Sequence, residues 1–127
     1  MIGDKHQIRH ITLSDDPLLP AGKYVFFDLY CTDPDCDCRK TMIHVLHEGN
    51  VASVVNYGWE SPKFYCDWMG AGPDDEMAIE MSGVSIDFSS PNRVSPEGML
   101  VLMNHLLDEN WRHLIKSHYA EVRASLL

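Results

Sequence analysis

Alternation of apolar and polar residues dominates the first half of the chain. Residues His6 to Leu13 place Ile8 between polar neighbours and predict a short edge strand. A turn-rich stretch, SDDPLLPAG at 14–22, follows. Lys23 to Cys31 predicts a second strand, with Val25, Phe27 and Leu29 on one side and Tyr24, Phe26, Asp28 and Tyr30 on the other. Thr32 to Cys38 is a loop bearing Pro and Asp. Arg39 to Glu48 predicts a third strand with Ile43 and Val45 inward, and Gly49-Asn50 signals a tight turn into a fourth, Val51 to Tyr57. The strands from Lys23 to Tyr57 form an antiparallel meander.

The period then lengthens. Ser61-Pro62 is a helix start, a hydroxyl cap followed by proline where no amide hydrogen is needed. That helix carries Phe64, Tyr65 and Trp68 and ends at Gly70. Met77 to Phe88 alternates as a further strand with Gly83 as a bulge. Ser95-Pro96 opens a helix to Leu107, and Asp108 caps a last one in which Trp111, Leu114, Ile115, Tyr119, Val122 and Leu126 keep the helical period. Met77, Met81, Met99 and Met103 read as core filler. Strands first and helices later is the α+β order. The expected fold is one α+β domain over residues 1–127: an antiparallel meander, helices packed on one face, and a metal-binding loop at one sheet end.

Composition narrows the function. Hydrophobic residues at 45% and charged residues at 23% are globular values. No run approaches the ~18 apolar residues of a membrane span, and MIGDKHQIRH has no secretory signal pattern, so no membrane is expected and the location is cytoplasmic. Ten Lys and Arg against nineteen Asp and Glu give a formal net charge of −9. That opposes a nucleic-acid backbone and suits a basic protein partner. No glycine-rich phosphate loop, nucleophile elbow or HExxH motif occurs.

Chemistry concentrates in the cysteines at 31, 36, 38 and 66. A cytoplasmic chain keeps thiols reduced, and a Cys36–Cys38 disulfide would close a small strained ring, so clustered cysteines point to metal. Cys31-x4-Cys36-x-Cys38 places three soft ligands on one hairpin end, a zinc-type donor set. His44 lies six residues down the next strand from Cys38, about 20 Å away, too far to close the site. Cys66, one turn into the helix from Ser61, is the expected fourth ligand, with His6 behind it; the alternative is that Cys66 is a small buried hydrophobe. Asp33, Asp35 and Asp37 interleave with the thiols, so the loop repels itself unless positive charge is near. Arg39 and Lys40 are placed to balance part of it, and the aspartates also serve simply to turn the loop. The D-x-D-x-D pattern is not a calcium loop: it lacks the required glycine and the closing glutamate, and strands flank it.

The segments YCTDPDCDCRKTMIHVL (30–46), VVNYGWESPKFYCDWMG (54–70) and LIKSHYAEVR (114–123) resemble a bacterial family of uncharacterised proteins with a YC-x4-CDCR loop and an NYGW segment. Some members of that family continue into a C-terminal SEC-C metal-binding tail, which is not within these residues. The resemblance implies that Cys31, Cys36 and Cys38 belong to the shared motif; it carries no assigned activity.

The expected function is a binding or interaction module stabilised by structural zinc. The rival is a metal- or cysteine-dependent enzyme using Cys31, Cys36 and Cys38, with a base among His6, His10, His105, His113 and His118, or a redox dithiol at Cys36 and Cys38. The neighbouring carboxylates are expected to raise the thiol pKa values and blunt such reactivity. His113 and His118, five apart, stand about 140° round a helix and do not chelate from one face. Among the rest, Asn56, Trp59 and Glu60 stand out, with Trp59 expected to pack beneath the loop; the alternative is an exposed Trp59 that anchors a ligand or partner.

Overall fold

Short connections leave the first four strands to pair antiparallel, and a fifth joins them antiparallel after a long helical connection. In the computed structural model, which describes residues 6–126 and side chains from residue 9, five strands do so in chain order: β1 (His6–Leu13), β2 (Gly22–Leu29), β3 (Lys40–His47), β4 (Asn50–Gly58) and β5 (Gly83–Ile86). The β3–β4 turn centres on Glu48 and Gly49, both with positive φ (48° and 83°), one residue earlier than the Gly49-Asn50 signal suggests. Such a turn matches the twist of the strands it joins.

The core face of β2 is the one bearing Tyr24, Phe26, Asp28 and Tyr30. Register places Phe26 opposite Val45 and Asp28 opposite Ile43, so the predicted inward pair of β3 shares that face. Two helices cover it, α3 (Pro96–Leu106) and α4 (Glu109–Ser125). They bring Met99, Met103, Trp111 and Ile115 onto the sheet, with Trp111 set edge-on to Phe26 at 5.8 Å. Both helices start where the caps predict. Ser95 Oγ accepts from Gly98 N–H at 3.1 Å, and Asp108 Oδ1 from Trp111 N–H at 2.9 Å.

Two further helices, α1 (Pro62–Met69) and α2 (Glu76–Glu80), follow β4. Ser61 caps α1 and Gly70 ends it in a left-handed conformation, as predicted. Gly58 is needed here for space: a Cβ at that position would run into the Met81 carbonyl and the Tyr65 hydroxyl.

The Met77–Phe88 strand is a correction. Its first half is α2, capped by Asp75 accepting from Ala78 N–H at 2.9 Å, and only Gly83–Ile86 is extended. Alternating Met77, Ile79 and Met81 look like a strand, but the buried residue is Ala78 between them. Gly83, with φ of 81°, starts β5 rather than bulging it. Met77 is exposed rather than core, unlike Met99 and Met103, and Leu114 lies on the open side of α4. No helix among the described residues is long and apolar enough to cross a membrane.

Replacing Gly58 with alanine should lower unfolding stability by about 1–3 kcal/mol, the usual penalty of forcing a methyl into filled space. Gly72→Ala, where an added methyl meets nothing within 4 Å, should stay within about 0.5 kcal/mol. Urea midpoints at unchanged slope read both; equal midpoints would contradict the packing at Gly58.

Candidate functional site

The β2–β3 connection, residues 30–39, stands at the sheet end opposite the β3–β4 turn. Its tip is a turn in which the Cys36 N–H donates to the Asp33 carbonyl at 3.1 Å. Asp33 also accepts the Asp35 N–H through its side chain at 2.9 Å, so this aspartate turns the loop. Arg123 of α4 then grips the tip from outside. Its guanidinium donates to the carbonyls of Asp33 (3.1 Å), Pro34 (3.2 Å) and Cys36. A planar guanidinium offers its donors in a rigid fork, so it can hold several carbonyls at once in one geometry.

The loop's second anchor is Arg39, whose φ of 49° is unusual for a residue with a Cβ. Its N–H donates to the Tyr119 hydroxyl at 3.3 Å, and its carbonyl accepts from Tyr65 OH at 2.7 Å and Trp59 N–H at 3.4 Å. The guanidinium donates to Asp37 at 3.1 Å, sits 3.7 Å from Glu60 Oε1, and lies over the Phe64 ring at 4.6 Å. Hydrogen bonds from Arg39 and from the Tyr119 hydroxyl hold the Asp37 carboxyl below its usual range. Arg39, as anticipated, thus meets the Asp37 carboxylate, while Arg123 holds backbone carbonyls and adds positive charge near Asp37. Lys40 takes no part in these contacts.

Within this frame three thiols lie close together. The Cys36 thiol lies close to those of Cys31 and Cys38, with Cys38 buried and the other two half-buried. Burial first, then the Cys38 and Cys31 thiols, pushes the Cys36 thiol up to about 12. The expected direction holds, but neighbouring sulfurs and burial cause it, not the aspartates. A thiol held protonated, as at Cys36, is a weak nucleophile at neutral pH. Their chemistry suits a soft divalent ion able to displace the thiol hydrogens. Among the described residues, no set of three or more His, Cys, Asp or Glu side chains already stands as a metal-holding group.

Cys66 is not brought into contact with these sulfurs. Tyr65 and Phe64 face the loop, and the next residue turns about 100° around α1, so Cys66 is buried with its Sγ donating to the Pro73 carbonyl at 3.9 Å. That is the small-hydrophobe alternative. His6 opens β1, and its side chain lies outside the described residues. His47 is at the far sheet end, stacked on Tyr24 at 4.6 Å. His105 and His113 are exposed on their helices. Trp59 is half-buried and packs edge-on against Tyr119 at 5.0 Å, beneath the loop as expected.

One group goes beyond the candidates named from sequence. Asp28 is fully buried, and its Oδ2 lies 2.6 Å from His118 Nδ1. The Tyr30 hydroxyl touches the same oxygen and the Ile115 carbonyl at 3.0 Å. Asp28 Oδ1 has no hydrogen-bond partner among the described residues. The signal was an aspartate among Tyr24, Phe26 and Tyr30 on what proves to be the core face. A buried carboxyl demands a partner, and Tyr30 and, from α4, His118 supply it.

Comparison with family models, curated proteins and solved structures found no match for this chain.

Hydrogen bonds from a charged donor contribute about 1.5–3 kcal/mol, so losing the Arg123 grip should open the tip readily. In reduced, metal-free protein, Arg123→Met should raise the native-state alkylation rate of the loop thiols about tenfold. The measurement is iodoacetamide labelling read by peptide mass. An unchanged rate would contradict the clamp.

Proposed function

We propose that this chain is a small binding module whose 31–38 loop is locked by a structural soft cation, zinc above all, held by Cys31, Cys36 and Cys38. One observation carries the reading: the cysteines at 31, 36 and 38 lie close together on a loop clamped by α4. Zinc would exchange thiol hydrogens for metal–sulfur bonds and staple the loop. A thiolate-rich ion is electron-rich and a poor activator of water, which favours a structural role over a catalytic one. The raised Cys36 pKa also weighs against a cysteine nucleophile or a redox dithiol. A formal charge of −9 suits a basic protein partner rather than nucleic acid. Cytoplasmic placement, where thiols stay reduced, belongs to the same reading. So does the likeness of the YC-x4-CDCR loop to its bacterial family.

Cobalt(II) tests the assignment because thiolate–cobalt bonds absorb in the near ultraviolet. Titrating reduced wild-type protein should produce that band and saturate at one ion per chain. Cys36→Ser should lose the band and the thermal stabilisation that zinc confers. Cys66→Ala should keep both. A wild type without the band, or a Cys36→Ser variant that retains it, would refute the thiol site. A Cys66→Ala variant without the band would make that sulfur a ligand.

A further inference from the structure

β5 is an edge of the sheet, and its free side opens into a groove. The Asp87 N–H donates to the Val54 carbonyl at 2.9 Å, and Ser85, opposite Asn56, is in phase with it. Successive residues of an antiparallel strand alternate toward and away from the neighbour. The N–H and C=O groups of Val84 and Ile86 therefore point away from β4. A cavity of about 470 Å³ lies against this strand and extends over the sheet face to Asn56 and Lys40. α2 contributes Met77 and Glu80 to it, α3 Leu100, β3 Lys40, and the exit of β5 Asp87 and Phe88. Met77 and Phe88 are 72% and 75% exposed, far more than apolar side chains of a finished core.

Sheet edges are normally blunted by shortness, a lysine, a proline or a covering element; β5, at four residues, has the first of these but neither lysine nor proline. β5 instead has outward backbone groups, apolar side chains beside them, and carboxylates at Glu80 and Asp87 that outnumber Lys40 in the groove. We infer that this edge docks an extended segment of a basic protein partner. The segment adds to β5 as a sixth strand, with apolar side chains on Met77 and Phe88 and basic ones toward Glu80 and Asp87. Main-chain bonds supply affinity, and the alternate side chains supply selectivity. A second copy of this chain is a poor occupant, because each carries a formal charge of −9. The inference rests on the binding-module part of the reading above and is independent of the metal.

The test uses a fluorescein-labelled alternating lysine–valine peptide and its glutamate–valine counterpart, followed by anisotropy on the full chain. The lysine–valine probe should bind saturably and at least about tenfold more tightly than the other. Glu80→Lys with Asp87→Lys should reverse that preference. N-methylating the probe's backbone amides, which leaves the protein untouched, should abolish binding. Absence of saturable binding, equal affinity for both peptides, or full retention by the methylated probe would overturn the inference. So would a dimer in sedimentation that Val84→Pro dissociates, since the edge would then belong to a second copy. Failure of the probe on protein with an intact cobalt band refutes the groove alone; binding by protein that lacks the band supports the groove and refutes only the metal.

Discussion

Two arginines keep a self-repelling loop in one shape. Asp33, Asp35 and Asp37 and the thiols of Cys31, Cys36 and Cys38 crowd into eight residues, and beyond the turn that Asp33 makes, the like charges of the aspartates oppose closeness. Arg123 ties down the carbonyls at the tip, while Arg39 ties the trailing end to α4, α1 and the end of β4 through its backbone and to Asp37 through its side chain. The left-handed backbone at Arg39 costs roughly 1–2 kcal/mol, and these bonds offset it. Without the grip, three cysteines on a hairpin would be a composition, not a site.

The grip in turn depends on the fold behind it. Tyr119 and Arg123 lie on the same helix as Trp111, Ile115 and Val122, which form part of the core. Burying α4 against β2 and β3 therefore sets the distance from which the loop is held. Asp28 adds direction to that packing. An apolar contact between helix and sheet can slide, but a buried carboxyl bonded to His118 and Tyr30 accepts one alignment. Breaking one partner of such a pair leaves a buried polar group unmet, which is far costlier than losing a surface ion pair. The sheet, the last helix and the thiol loop thus form one mechanical unit.

Much of this was legible in the sequence. The helix starts at Ser61, Ser95 and Asp108 were written in cap residues, and alternation located four of the five strands, because each signal is local. The tightness around Cys31, Cys36 and Cys38 was legible for the same reason: short spacing forces neighbours together. What escaped was long-range. Arg123 is an ordinary basic residue near the end of an amphipathic helix until the fold carries it to Pro34, about ninety positions away. Asp28 was assigned to its side of β2, but not to the core or to His118, since no local rule says which sheet face the helices cover. The fate of Met77–Phe88 turned on a weaker conflict: alternation suited strand and helix alike, and the cap at Asp75 decided for helix in the first half. At Cys66 angle matters more than distance: a helix aims adjacent residues in different directions, so Tyr65 meets Arg39 while Cys66 donates to Pro73.

The most direct test is the zinc-to-protein ratio of chain purified under reducing conditions with no metal added and no chelator used. The account predicts close to one zinc per chain, with Cys31, Cys36 and Cys38 protected from thiol reagents until the metal is stripped. Protein free of zinc and every other soft cation, with all three thiols titrating at once, would contradict it.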